Sequence, residues 1–175
     1  MWSSVIAVLG TLAGVLVTGG LAHWAARAAR REARQDQAGQ ARLEAVVALA
    51  HALSDHRLAS WKAWQAALTG ADEDWVRELR EAAHGTRSAV TDPAVRVRLL
   101  YPDAPQVREA ATAAATATYA LRTAATVEEL QELRAAAVAA TDRLVDVAGA
   151  HLAAVTGEKR PKKQVTGPTP LSAVQ

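Results

Sequence analysis

A histidine and an aspartate four residues apart form the pair in this sequence that could hold a metal ion. His51 and Asp55 are separated by about one helical turn, so their side chains share one face of a helix. A protein metal site generally needs three or four ligands, and His56 points elsewhere on the same helix. The chain has no cysteine, which excludes disulfides, thiolate ligands and nucleophilic thiols. We therefore predict neither a metal ion nor any other cofactor.

The sequence also lacks the short motifs that build common active sites. It contains no glycine-rich phosphate loop, no Gly-x-Ser-x-Gly turn and no Ser/His/Asp arrangement. The carboxylates at 72–74 and 128–129 lie at predicted helix starts, where a capping role accounts for them. A small alanine-rich bundle is a poor source of a polar pocket. The prediction is a protein that is not an enzyme and has no catalytic residues.

Two tryptophans are the candidate partner-binding residues. Trp61 and Trp64 are three apart, so they lie on one stripe of a helix. Tryptophan is enriched at the centres of protein interfaces. Buried aromatic rings also dominate core energetics, and packing against Trp75 in a bundle core is the favoured alternative. The two interpretations differ in whether Trp64→Ala lowers the melting temperature of the soluble fragment.

Residues 2–26 contain no Asp, Glu, Lys or Arg and predict a single transmembrane helix, since about 20 apolar residues cross a bilayer. Trp2 and Trp24 are 22 residues apart. That separation is about 33 Å along a helix, which places both indoles at membrane interfaces. Basic residues follow the span and none precedes it, which predicts an outer N-terminus and a cytoplasmic body at the cell membrane. The basic residues expected at the lipid interface are Arg27, Arg30, Arg31 and Arg34.

Two glycines in this span form a Gly-x-x-x-Gly pair. Gly10 and Gly14 would let a second helix approach closely, which predicts a helix–helix contact and a homodimer or larger assembly. Glycine is also frequent in membrane helices that make no such contact. Small residues near Ala22 and Ala26 leave cleavage of a secretory signal as an alternative, although no basic region precedes the apolar run.

The remaining chain predicts an all-α fold in three parts. Residues 27–42 are a basic juxtamembrane helix or linker, 43–157 an antiparallel helical bundle, and 158–175 a disordered basic tail rich in Pro and Gly. One long helix is expected to end at Thr69-Gly70. Its predicted buried stripe comprises Leu43, Val46, Val47, Ala50, Leu53, Trp61, Trp64 and Leu68.

Later helices have local start signals. Asp72–Asp74 supplies carboxylates for a helix N-terminus. In the segment Asp92-Pro93, Asp92 is predicted to be an N-cap and Pro93 the first residue of the helix. Pro105 begins the next helix, and Thr126–Glu129 forms a capping box before the last one. The last helix carries a regular pattern of the coiled-coil type and ends at Gly157.

The charge of the predicted bundle is mildly acidic. Residues 43–157 carry 11 Lys and Arg against 15 Asp and Glu, a net charge of −4. A nucleic-acid-binding body normally carries its own basic face. Only the tail, through Lys159–Lys163, is expected to reach DNA or anionic lipid, and only weakly.

Several segments together resemble a known family. They are the apolar run Val8–Gly14, the Ala/Arg-rich run Arg27–Glu32, the segment Arg42–Ala45, Arg57 on a long helix, and Arg96–Leu100. Their order resembles the KilB-like or spread-type small membrane-anchored proteins of actinomycete genomes and conjugative elements. The resemblance implies a role in spreading a conjugative plasmid between hyphae beside a membrane-bound DNA translocase, with no catalytic residues to transfer.

The leading hypothesis is therefore a non-enzymatic, membrane-anchored helical interaction protein that is an accessory to plasmid transfer. Its expected partners are membrane lipid, other copies of the chain and the translocase. A second hypothesis is a membrane-anchored regulatory or sensor domain that binds an effector or DNA. A third is a secreted helical protein after signal cleavage. The N-terminal mass of the native protein separates the third hypothesis from the first two.

Overall fold

A computed structural model describes the backbone of residues 2–157 and the side chains of residues 27–157 except positions 28, 31, 32 and 156. This part of the chain is helical and contains no strand, which confirms the all-α prediction. Two compact units are present, one ending at Glu44 and the other beginning at Ala45. The helices are α1 (Trp2–Leu68), α2 (Glu73–Ala89), α3 (Thr91–Leu100), α4 (Pro105–Ala120) and α5 (Val127–Gly157), with a 3₁₀ turn at Leu121–Thr123.

The end of α1 and the start of α2 follow their local sequence signals. Gly70 has a φ of 72°, the left-handed conformation that ends helices and favours glycine. The Ala71 N–H donates to the Ala66 carbonyl at 3.0 Å across this end. Asp72 then caps α2, accepting from the backbone N–H groups of Asp74 and Trp75 at 3.0 and 3.1 Å. Both predicted signals are confirmed.

The junction between α2 and α3 differs from the prediction. The helix begins at Thr91, and its N-cap is Val90, which keeps a helical backbone and makes no side-chain cap. Asp92 is therefore inside the first turn, where its carboxylate pairs with Arg96 at 3.2 Å. The prediction of Asp92 as N-cap was wrong because tertiary packing sets the break: Val90 is 1% exposed and belongs to the bundle core.

The starts of α4 and α5 agree with the prediction more closely. Pro105 is in the first turn of α4, where its missing N–H costs nothing. The Glu129 N–H donates to Thr126 Oγ1 at 3.1 Å, as a capping box requires. A capping box also has a second hydrogen bond, from the N-cap N–H to the Glu side chain. Here that bond is shifted by one residue: the Glu129 carboxylate accepts from the N–H of Ala125 at 2.8 Å and not from that of Thr126.

The helix directions in the unit that begins at Ala45 follow from two clusters of buried side chains. In the first cluster, buried side chains from residues 45–53 of α1 pack against the beginning of α4 and the later part of α5. In the second, Trp61, Trp64 and Leu68 pack against the end of α4 and the beginning of α5. Helix α1 is therefore parallel to α4 and antiparallel to α5. The predicted helical bundle is confirmed, with α1 and α5 antiparallel and α1 and α4 parallel.

The buried stripe of α1 is offset from the predicted one. Leu43 and Val47 are exposed at 46% and 44%, whereas Leu49 is fully buried. The residues that are buried recur at alternating spacings of three and four, the repeat that keeps one seam facing neighbouring helices. They are Val46, Leu49, Leu53, His56, Ser60 and Ala63, and the neighbouring Ala45 and Ala52 are buried as well. The prediction included Val46 and Leu53, and it left out His56 and Ser60 because they are polar.

No helix in the described part of the chain is long and apolar enough to cross a membrane. The side chains of the predicted span, including Trp2, Gly10, Gly14 and Trp24, lie outside the described residues. The side chain of Arg31 and the tail 158–175 lie outside them as well. Three of the predicted interface residues are described and exposed: Arg27, Arg30 and Arg34.

Candidate functional site

The two candidate tryptophans of α1 are half-buried. One side of each ring packs on the second core cluster. A guanidinium lies over each ring, with Arg134 Cζ 4.6 Å from the Trp61 centroid and Arg80 Cζ 5.2 Å from that of Trp64. These are distances at which a cation is attracted to the negative face of an aromatic ring. Both tryptophans therefore serve the core and the surface together.

A cleft of about 170 Å³ opens where α1, α2, α4 and the 3₁₀ turn meet. We call it the basic cleft, because arginine and histidine side chains line it and no carboxylate does. Among its residues, only Trp64 was a candidate from the sequence. Its lining residues are His56, Ser60, Trp64, Arg80, Ala83, His84, Arg87, Tyr119 and Arg122.

The floor of the basic cleft is a hydrogen-bond chain through His56. The Thr86 hydroxyl donates to the Ala83 carbonyl at 2.9 Å, so it accepts from His56 Nδ1–H at 3.0 Å. This assignment leaves Nε2 of the neutral imidazole as an acceptor. Ser60 Oγ lies 3.5 Å from Nε2, near the limit for a hydrogen bond, and both side chains are buried. The pair closes the floor of the cleft and spans about one turn of α1.

His56 is neutral at physiological pH. Burial lowers the pKa of its imidazole below the ordinary value of 6.5, and the nearby Arg87 and His84 lower it further. A backbone hydrogen bond involving Ala83 acts in the opposite direction and raises the pKa. Desolvation is the larger effect, since the charged imidazolium would lose water on burial.

Aromatic rings position the arginines of the cleft. Arg87 Cζ lies 4.8 Å from the centroid of Tyr119, and Tyr119 in turn meets His56 edge to face at 5.4 Å. Trp64 Nε1–H donates to the Arg122 carbonyl at 2.7 Å and so holds the 3₁₀ turn beside α1. No carboxylate lies within ion-pair distance of the guanidiniums of Arg80, Arg87 or Arg122 among the described residues.

A second depression runs between the end of α1 and the start of α2. We call it the aromatic groove; its volume is about 390 Å³. Trp75 is 53% exposed here, so the expectation that it packs in the core was wrong. The buried residues of α2 are Val76 and Ala83 instead. The groove is lined by Trp61, Lys62, Gln65, Ala66, Thr69, Trp75 and Leu79.

The indole nitrogen of Trp61 adds an unused donor near this groove. Its Nε1–H is buried and has no hydrogen-bond partner among the described residues. An unpaired buried donor costs about 1–3 kcal/mol. The groove thus contains two tryptophan side chains, one of them exposed, beside a buried N–H that has no partner among the described residues.

Arg57, one of the residues that carried the family resemblance, ties α1 to α5. Its guanidinium donates to Ser54 Oγ at 3.2 Å and to Thr141 Oγ1 at 3.5 Å. Burial lowers the pKa of Arg57 and Arg134 lowers it too, whereas the Asp142 carboxylate raises it. Arg57 therefore holds two helices together and does not line the basic cleft.

The histidine–aspartate pair that was considered as metal ligands, and for which no metal was predicted, is exposed. His51 and Asp55 both face solvent on α1. No group of three or more His, Asp or Glu side chains that could hold a metal ion is found among the residues described.

The structure therefore defines a class of protein: a small helical bundle whose α1 and α2 carry aromatic and basic side chains beside two depressions. Residues 43–152 match the family described as KilB plasmid transfer protein. Protein KilB of Streptomyces lividans is 44% identical over 154 residues, covering 88% of this chain and 100% of that relative. The chain belongs to the KilB family, as the resemblance implied. No solved structure matches it.

Proposed function

We propose that the chain is a non-enzymatic, membrane-anchored interaction protein that acts in plasmid transfer. Membership of the KilB family supports the role in plasmid transfer. The matched region contains the residues that line both the basic cleft and the aromatic groove. The observation that carries the interaction role is the exposure of Trp75 beside half-buried Trp61 and Trp64 on α1 and α2.

The anchor is the uncharged segment 2–26, with its N-terminus outside and the bundle on the cytoplasmic side. Its length and the basic residues that follow it support this orientation. Arg27, Arg30 and Arg34 are exposed and are available to anionic lipid headgroups. Contact through Gly10 and Gly14 would pair two anchors within the bilayer.

The docking surface for a protein partner is the aromatic groove with Trp61, Trp64 and Trp75. Tryptophan is enriched among the residues that dominate the energetics of protein interfaces, and both Trp61 and Trp75 line this groove. A partner that covers Trp75 would bury a large apolar ring now in contact with water. The partner class is a membrane-bound DNA translocase or a further copy of this chain.

The anchor is tested by a charge placed at its centre. Leu12→Arg should move the protein from the alkali-resistant membrane fraction to the soluble fraction, because an arginine at the middle of a span costs about 2.5–3.5 kcal/mol or more. Leu58→Arg is the matched control, since Leu58 is 46% exposed on the bundle. Recovery of wild-type protein in the soluble fraction, or loss of residues 1 to 26 from its mass, would refute the anchor.

A regulatory domain that binds an effector is the second candidate function. The basic cleft favours it, because the cleft is concave and positively charged within a bundle of net charge −4. Purification of the full chain in detergent distinguishes the two. Association with a plasmid-transfer protein that is lost in Trp75→Glu supports the interaction protein, whereas a monomer without bound protein supports the regulatory domain.

A further inference from the structure

We propose that the basic cleft binds a phosphate dianion, the group carried by a phosphate monoester. Membrane anchoring and plasmid transfer are not premises of this inference. It rests on the arginines of the cleft, on the rings that hold them and on the uncharged floor beneath.

The charge of the cleft is the first argument. Arg80, Arg87 and Arg122 bring three positive charges to one depression, and no carboxylate lies within ion-pair distance of them among the described residues. Two arginines outside the cleft do have carboxylate partners: Arg77 of α2 pairs with Asp74 at 2.7 Å and Arg96 of α3 with Asp92 at 3.2 Å. The bundle as a whole is acidic, so this local excess of positive charge is not an average property of its surface.

The orientation of the guanidiniums is the second argument. Arg80 Cζ lies 5.2 Å from the centroid of Trp64 and Arg87 Cζ lies 4.8 Å from that of Tyr119, so each guanidinium is held against an aromatic ring. A guanidinium has five N–H donors, and a cation–π contact leaves donors available to oxygen acceptors. These ring contacts restrict the two side chains before any ligand arrives, which reduces the entropy lost on binding.

The floor of the cleft is the third argument. Tyr119, Ala83 and the ring of Trp64 provide apolar surface, and the buried His56–Ser60 pair beneath them is uncharged. Low polarity around an anion strengthens its hydrogen bonds to arginine. A cleft of about 170 Å³ holds several times the roughly 30 Å³ of one water molecule, so a phosphate and part of its ester fit.

Charge and shape favour a monoester over other anions. A carboxylate neutralises one of three charges, whereas a phosphate monoester carries about −1.5 to −2 and three acceptor oxygens. A nucleic acid has one charge per phosphodiester and is normally met by an extended basic stripe. The cleft is a local depression on an acidic bundle, which disfavours a polyanion.

The test uses the full-length chain in a phosphate-free, uncharged detergent, titrated calorimetrically with inorganic phosphate at constant ionic strength. We expect saturable binding of one phosphate per chain. Arg87→Gln and Arg122→Gln should each weaken it at least tenfold, while Arg87→Lys, which keeps the charge but loses the planar fork, should weaken it less. The matched controls Arg77→Gln and Arg96→Gln should bind as the wild type does, since these residues lie outside the cleft.

Three results would overturn the assignment. Acetate binding as tight as that of phosphate would make the cleft a carboxylate site. Equal heats with chloride would show that the signal comes from non-specific screening of the positive charges and not from phosphate binding. Tighter binding of a single-stranded oligonucleotide that is also lost in Arg87→Gln would make it a polyanion surface. Each variant is first melted without ligand. If one glutamine variant fails to fold, the other carries the comparison, because Arg87 and Arg122 lie on different elements.

Discussion

Trp64 Nε1–H donates a 2.7 Å hydrogen bond to the main-chain carbonyl of Arg122. This bond joins α1 to the 3₁₀ turn after α4, although Trp64 and Arg122 are 58 residues apart in the chain. It fixes one wall of the basic cleft and places the Arg122 side chain at that wall. Trp64 is thus a structural residue and a surface residue at once.

Trp64→Phe should remove this hydrogen bond and keep most of the ring packing. We expect the free energy of unfolding to fall by about 1 kcal/mol, the usual contribution of one hydrogen bond. The measurement is chemical unfolding of the full chain in detergent. Trp75→Phe is the control and should leave stability unchanged, because Trp75 is exposed. Equal loss in both variants would contradict the structural role of Trp64.

His56 should make stability depend on pH. Its pKa is lowered in the folded state by burial, while the unfolded chain takes up the proton near the ordinary value of 6.5. The unfolded state then binds more protons, so stability is complete above pH 6.5 and decreases as the pH falls through and below that value. His56→Gln should flatten the decrease between pH 7.5 and 5.5 in urea unfolding. His51→Gln, an exposed position on the same helix, should keep the wild-type slope.

Leu53→Ala tests the observed stripe of α1. Leu53 is fully buried in the first core cluster, and replacing it should cost about 2–5 kcal/mol through lost burial and the cavity left behind. Leu58→Ala lies on the same helix at 46% exposure and should change stability by less than about 0.5 kcal/mol. Similar costs for both would place the bundle seam on another face of α1.

Thr126→Ala tests the capping box of α5. Loss of the Thr126 acceptor leaves the Glu129 N–H without its partner, and we expect a cost of about 1 kcal/mol. Thr112→Ala removes an exposed hydroxyl from the interior of α4 and should be neutral or slightly stabilising. If the two substitutions had the same effect, the cap would contribute nothing to the start of α5.

Helix ends were predictable from sequence where the signal is local. Gly70, Asp72, Pro105 and Thr126 each act within one turn of the chain, and all four lie where their residue types predict. The break at Val90 was predicted two residues too late, at Asp92, because Val90 is buried in the bundle core and no signal within the segment reports that contact.

The basic cleft was not predictable in the same way. His56 and Ser60 interrupt the apolar pattern of α1, although their positions in the three-and-four repeat were a signal that they face the core. Arg80, Arg87 and Arg122 come from different elements, and only the packing of α2 and the 3₁₀ turn on α1 brings them together. Trp75 was misplaced because α2 packs through Val76 and Ala83, and the apolar character of the ring does not report which face of a helix meets the bundle.

The docking role of the aromatic groove is tested most directly by plasmid transfer from a host in which each variant replaces the native copy of this chain. Trp75→Glu puts a charge at the exposed ring of the groove, and Val145→Glu puts the same charge on α5, where Val145 is 48% exposed. With equal amounts of protein in the membrane fraction, Trp75→Glu should lower the transfer frequency at least about tenfold, as loss of an interface hot spot would. Val145→Glu should transfer as the wild type does. Wild-type transfer in Trp75→Glu, or an equal loss in both variants, would contradict the role proposed for this surface.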